Sequence, residues 1–412
     1  MKARQFLRSR MWGYGFAATL SVFLFQSPEA AAQGADSDEI EEIVVRGIRY
    51  SQQQAIGIKR NAVGVVDAIS ADDIGKLPDK NAAEAVDRLP GVSISTDQGE
   101  GRYVIIRGVS ASLNNLTING VSAGSPEADG GGRASPLDVV GGDLLQAIEV
   151  IKTPTPDMDG QGIGGTVNVV TPSPFSREQQ RFGSLTLRAG YEDFSSNMPY
   201  AGTFSYGMKN AEGTVGFIVG GSYSYRDFVS RGIFQDDWRD PNGRSQDGSS
   251  TPHWLPENAK NTQYNLARTR TAFNANLEFR PNDSAKYFVR AYFSQFDEDE
   301  KRQRYQHSVG RDPYLLDGFT GYADGNRRAQ DLRLEQKDKR FANLSVGGEN
   351  SLSNGWTVAD ALQFNASRQE EANRCWEFRG GGDDAADSWV GVGGGIGLIS
   401  PGVLGPRDPT PS

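Results

Sequence analysis

From Arg181 onward apolar and polar side chains take turns: Leu185, Leu187, Ala189 and Tyr191 alternate with Ser184, Thr186, Arg188 and Gly190. The same two-residue period returns in Val215, Phe217, Val219, Tyr223 and Tyr225, and again where Phe273, Ala275, Leu277 and Phe279 interleave with Asn274, Asn276 and Glu278. Successive side chains of a strand point to opposite faces, so this period predicts a sheet with one apolar and one polar face. About seven strands are expected, near 182–191, 199–209, 213–227, 264–280, 285–300, 332–351 and 356–369. Asp360 falls on the apolar face of the last, which points to a bulge or to a register error there. Asn210-Ala211-Glu212-Gly213, Pro281-Asn282-Asp283-Ser284 and Ser353-Asn354-Gly355 predict short turns, separated by much longer polar connections. Strands of about ten residues or more, with short turns at one end and long loops at the other, suit a barrel that faces lipid outside and water inside.

The preceding segment has a different texture. Lys80 to Leu89 carries Ala82, Ala85, Val86 and Leu89 at helical spacing and is stopped by Pro90-Gly91. Tyr103–Arg107 and Leu116–Asn119 predict strands, and Asn119-Gly120 supplies the positive backbone angles of a tight hairpin. Ser135-Pro136, with Asp138 in the first turn, predicts a helix start, and Ala147–Lys152 returns to strand. The expectation is a small α+β domain over 51–174, followed by an antiparallel barrel region over 181–412.

Composition agrees with many short strands and turns: 50 glycines and 10% aromatics against 37% hydrophobic residues. A net charge of -9, with scattered Lys and Arg, gives no general attraction for nucleic acid. At the N-terminus Lys2, Arg4, Arg8 and Arg10 precede an apolar run from Met11 to Phe25, then Ala30-Ala31-Ala32 before Gln33. This predicts a signal peptide over 1–32 cleaved near Ala32/Gln33. A membrane-anchoring helix is disfavoured, because the apolar run is about 15 residues where a span needs about 20. The lone Cys375 supplies no disulfide framework.

Residues 33–50 form an acidic, small-residue tether that ends in a β-prone patch, Ile43-Val44-Val45, flanked by Glu41, Glu42 and Arg46. Another protein's sheet edge could capture such a patch by strand addition; it could equally be the first strand of the next domain. Together with its surroundings it resembles the TonB box of TonB-dependent outer-membrane receptors. The order Leu89-Pro90-Gly91-Val92-Ser93-Ile94, Ile106-Arg107-Gly108-Val109, Ile118-Asn119-Gly120-Val121 and Ile148-Glu149-Val150-Ile151-Lys152 resembles their plug domain. Thr153-Pro154-Thr155-Pro156-Asp157-Met158, running into Gly160-Gln161-Gly162-Ile163-Gly164-Gly165-Thr166-Val167-Asn168, is similar to plugs of a branch common in Caulobacter- and Xanthomonas-like bacteria.

The resemblance implies a bacterial outer-membrane receptor that imports a carbohydrate oligomer or an iron-siderophore class ligand. Its partners would be TonB with its inner-membrane motor complex, outer-membrane lipid and the ligand, with no cofactor. Pro90, Gly91, Arg107, Gly108, Asn119, Gly120, Gly162, Gly164 and Gly165 would be structural positions of the plug. Transporters with a plugged lumen have about 22 strands, so seven would be a part of the barrel, and the remainder would need on the order of 400 further residues.

Gly160, Gly162 and Gly165 also satisfy G-x-G-x-x-G, but they lead into the alternating run Thr166 to Thr171 rather than a helix, so no helix dipole awaits a phosphate. His253 and His307, the only histidines, fall in expected external loops without metal-ligand spacing or a nucleophile motif, so neither catalysis nor a metal site is expected. Asp236, Asp237, Trp238 and Trp254 sit in an expected loop where rings and polar groups could hold a sugar or an aromatic chelator; interfacial aromatics are the alternative. A passive porin or a secretion pore is the competing function class, and it needs neither plug nor tether.

Overall fold

The computed structural model describes residues 51–70, 81–125, 127, 134–156, 158–239, 255–309, 311–315, 320–324, 327–380 and 387–390. The signal-peptide and tether readings, and with them Glu41, Glu42, Ile43, Val44, Val45 and Arg46, lie outside the described residues, as do His253 and Trp254.

The first region opens on a helix over 51–61 (α1) and strand β1 (Val66–Ser70), then a short helix α2 (Ala82–Val86) capped by Asn81, whose side chain accepts from the Glu84 amide. Strands β2 (Val92–Asp97) and β3 (Glu100–Ile106) form a hairpin beside α2. A five-stranded sheet is completed by β4 (Asn114–Ile118), β5 (Val121–Ser122), β6 (Ala147–Ile151) and β7 (Gly165–Val170), in the order β1-β6-β7-β4-β5. The core is the apolar side of this unit, with Ala82, Ala83, Ala85, Val86, Ile106, Ile148, Val150 and Val169 all buried. It continues into Tyr292, Phe296 and Phe341 of the second region.

That second region is a seven-stranded antiparallel wall. Its strands are β8 (Arg181–Ala189), β9 (Tyr200–Lys209), β10 (Val215–Arg239), β11 (Leu255–Asn282), β12 (Ala285–Ser308), β15 (Arg327–Ser351) and β16 (Thr357–Gly380), each paired with its neighbours in that order. Among the described residues the sheet does not close on itself. A separate three-stranded sheet joins β13 (Arg311–Leu315), β14 (Thr320–Asp324) and β17 (Asp387–Val390).

The alternation is inside-out relative to a soluble sheet. Phe273, Leu277 and Phe279 are about half exposed, while Asn274, Asn276 and Glu278 between them are buried against the first region. Leu185, Leu187, Leu344, Val346, Leu362 and Phe364 continue the outward apolar face. An outer surface of this kind suits hydrocarbon, and the polar inner surface is covered by protein.

Several expectations are corrected. The helix expected over 80–89 is only α2, because Leu89, Pro90 and Gly91 are committed to a turn in which the Val92 amide donates to the Leu89 carbonyl. No helix starts at Ser135-Pro136; the Leu137 amide donates to the Arg102 carbonyl and Val140 closes a turn onto Leu137, burying Leu137, Val139 and Val140. His307 and Asp236, Asp237 and Trp238 are not in loops, since β12 runs to Ser308 and β10 to Arg239. Pairing of β10 with β11 holds its register out to Arg239 opposite Leu255, far past the apolar band. Asp360 marks neither a bulge nor a register error: β15 and β16 pair without a shift, and Asp360 stands opposite Gly348 on the outward face.

Candidate functional site

The residues that join the two regions are charged. Glu100, at the start of β3, is fully buried and lies 2.6 Å from Arg226 of β10 and 2.7 Å from both Arg268 and Arg270 of β11. Arg268 also reaches Glu298 of β12 at 2.6 Å and donates to the Gln98 side chain at the β2–β3 tip. Gln98 in turn donates to Glu300, which is held 2.6 Å from Arg333 of β15.

A second cluster lies beside it. Arg102 pairs with Asp97 and Glu127, both at 2.7 Å, Tyr103 donates to Glu127, and Lys339 of β15 reaches Glu127 and, at 3.6 Å, Asp138. Phe228 and Phe296 support the cations from below. Arg226 lies over the ring of Phe228 at 4.2 Å, and Arg270 and Lys339 lie over Phe296 at 4.9 and 5.2 Å.

These positions follow from strand geometry. Arg268, Arg270, Glu298, Glu300, Lys337 and Lys339 occupy every second position of strands whose intervening side chains face outward, so all reach the same side. Main-chain contacts complete the seam: Arg270 donates to the Asp138 carbonyl at 2.9 Å, Asn276 to that of Pro172 at 2.9 Å, and Asn365 to that of Ser122 at 3.0 Å.

Burial alone would raise the Glu100 carboxyl, but Arg270 and Arg268 overcome it and hold the group well below the usual carboxylate range. Asp138 goes the other way. Its burial dominates the opposing Lys339 and Arg270 and raises it. Tyr103 is raised by burial and by its hydrogen bond to Glu127.

The expected structural positions of the first region are brought together as turns rather than as a ligand site. Lys152 donates to the Pro90 carbonyl and pairs with Asp67 at 2.5 Å, and the Arg107 amide donates to the Gly91 carbonyl at 2.8 Å, beside Gly108. Asn119 and Gly120, both at positive φ (51° and 86°), make the β4–β5 turn, and the Asn119 carboxamide accepts from the Thr171 amide at 3.0 Å. Gly164 donates to the Leu113 carbonyl, and Gly165, at φ 147°, opens β7 where a Cβ would stand 2.8 Å from the Ile151 carbonyl oxygen; Gly162 packs on the same turn, with no helix behind it. Asp236 pairs with Lys260 on β11 and takes no part in the seam.

The sequence does not single out Glu100, Arg226, Arg268, Arg270 or Lys339. The available signal is charge on the polar face of strands whose other face is apolar. Among the described residues no group of His, Cys, Asp and Glu is arranged to hold a metal ion.

Residues 58–166 match the family described as TonB-dependent Receptor Plug Domain. Over 139 residues the chain is 28% identical to the vitamin B12 transporter BtuB of Photobacterium profundum, a match covering 33% of this chain and 22% of that protein. The chain therefore spans about a fifth of the length of this relative. Among solved structures, the unliganded ferric citrate transporter FecA aligns with 81% of this chain and 59% of its own, at 12% identity and a TM-score of 0.36. The siderophore receptor PirA of Acinetobacter baumannii aligns with 76% and 58%, at 13% identity and a TM-score of 0.35. Residues 58–166 thus match the plug-domain family of TonB-dependent receptors, and that region is seated against seven strands of an antiparallel sheet.

Proposed function

We propose that this plug and wall belong to an energised outer-membrane receptor that brings a scarce nutrient, a carbohydrate oligomer or an iron-siderophore class ligand, into the periplasm. The observation that carries the reading is the seam itself: a plug region held to an outward-apolar wall by ion pairs and polar contacts around the shared apolar contact with Tyr292, Phe296 and Phe341. Polar pairs can be exchanged for water, so the joint can be opened and remade, as a gate requires. TonB would engage Glu41 to Arg46 by strand addition and draw on the plug through α1. The run from Thr153 to Asn168 supports placing the chain in the branch found in Caulobacter- and Xanthomonas-like bacteria. No catalytic role is part of the proposal. A passive porin or secretion pore has no use for a buried seam on a separate domain.

In the complete receptor, Val44→Pro removes an amide donor from the tether patch and fixes its backbone, so energised uptake is expected to fall to background while ligand binding survives. Uptake is measured with export of the variant checked by fractionation. Undiminished uptake by a correctly exported variant would remove the TonB-box assignment.

A further inference from the structure

The second cluster of the seam holds more carboxyls than cations. Asp97, Glu127 and Asp138 face Arg102 and Lys339. The first cluster has a carboxylate for each of its own cations and so lends none. The three carboxyls are not served alike. Asp97 is 37% exposed and stays open to water, and Glu127 takes Arg102, Tyr103 and Lys339 together. Asp138 has the remainder: one carboxyl oxygen stands 3.6 Å from Lys339, and the other is buried with no hydrogen-bond partner.

The elements packed around Asp138 bring it no closer charge. Arg270 of β11 commits its guanidinium to the Glu100 carboxylate and to the Asp138 main-chain carbonyl. Arg102 of β3 is held by Asp97 and Glu127, and the neighbouring Tyr103 donates to Glu127. β12 meets the same plug segment with Ser294, which donates to the Val139 carbonyl, and with the buried Tyr292. An ionised Asp138 would be a buried charge without a full partner, which a carboxyl avoids by keeping its proton. Burial accordingly raises Asp138 against the opposing pull of Lys339, Arg270 and Arg102.

We infer that Asp138 is a proton-binding site built into the seam: the plug is seated with a carboxylic acid at this position, and loss of that proton to bulk water loosens the plug from the wall. Between the ordinary carboxylate range and the raised value, the seated plug holds a proton that the released plug does not. The contribution of Asp138 is therefore complete in acid and is lost as pH rises through that window. Glu100, held low by its arginines, acts on the other side of the ordinary range.

The test uses the purified full chain in detergent micelles, titrated from about pH 4 to about pH 9, a span that starts where ordinary carboxyls ionise. Infrared spectra follow the C=O stretch of protonated carboxyls. The difference between wild type and Asp138→Asn is expected to show one such band that persists after ordinary carboxyls have ionised. Across the window in which that band disappears, protection of the Leu137 and Val140 amides from hydrogen exchange, taken relative to the free chain at the same pH, is expected to fall about tenfold per pH unit in wild type. In Asp138→Asn it is expected to stay flat. Lys339→Gln removes the nearest cation and is expected to carry the band to still higher pH. Loss of the band within the ordinary carboxylate range, the same fall of protection in Asp138→Asn, or a downward move of the band in Lys339→Gln would each overturn the inference. No TonB takes part and Val44 lies in the tether, so failure here and failure of the transport reading are separate results.

Discussion

Glu100 presents one carboxylate to three guanidiniums from two wall strands; Glu100, Arg268 and Arg270 are buried and Arg226 is partly exposed. Taking away the carboxylate leaves two buried cations, Arg268 and Arg270, with too few partners, the costly way to break such a cluster, and Glu100→Ala should lose about 3–5 kcal/mol of plug stability. The urea midpoint followed by circular dichroism measures this. Because the Glu100 carboxyl is held below its unfolded value, its contribution is complete above the ordinary carboxylate range and is lost progressively as pH falls from that range to the lowered value. The midpoint should therefore hold at neutral pH and fall steadily once pH drops below the ordinary carboxylate range, with Glu100→Gln flattening that fall. None of this was legible from pattern: Glu100 and Arg270 are 170 positions apart in the chain. Local spacing carries no trace of such a contact.

At the scale of elements, much was legible. The two-residue period located all seven wall strands, because lipid-facing positions must be apolar and plug-facing ones need not be. It failed at their outer ends. β10, β11 and β15 run to 25, 28 and 25 residues, where a span needs only about 9–11. Past the apolar band both faces are polar, so the alternation is silent while backbone pairing continues. In the plug, α2 was overextended because a helix this short is fixed by what it packs against, its Ala82, Ala83, Ala85 and Val86 all being buried, while the largely exposed α1 left no apolar face to read. The Asn119-Gly120 turn was legible because its chemistry is local. A side chain at Gly120, at φ 86°, is strained, and Gly120→Val should cost about 1–2 kcal/mol. That cost should appear as a lowered midpoint in the same urea experiment, with the wall transition unmoved.

For the molecule as a whole, the seven strands leave β8 and β16 as edges among the described residues. In hydrocarbon each unpaired backbone group costs several kcal/mol. A fragment comprising residues 181–412 should therefore give no discrete, long-lived conductance in planar bilayers, and single-channel recording decides it; a stable channel would mean that copies close the sheet together. The plug meets a wall whose charges recur. β12 presents Glu298, Glu300, Arg302 and Arg304 at alternate positions, and β15 presents Asp331, Arg333, Glu335, Lys337 and Lys339. A plug shifted by two residues toward the outer ends of these strands, about 7 Å, meets another charged group where it left one; shifted toward the short turns it meets Phe296, Ser294 and Tyr292 instead. The joint is thus a one-way rack, with shallow landings toward the outside and a smooth, uncharged run toward the periplasmic turns.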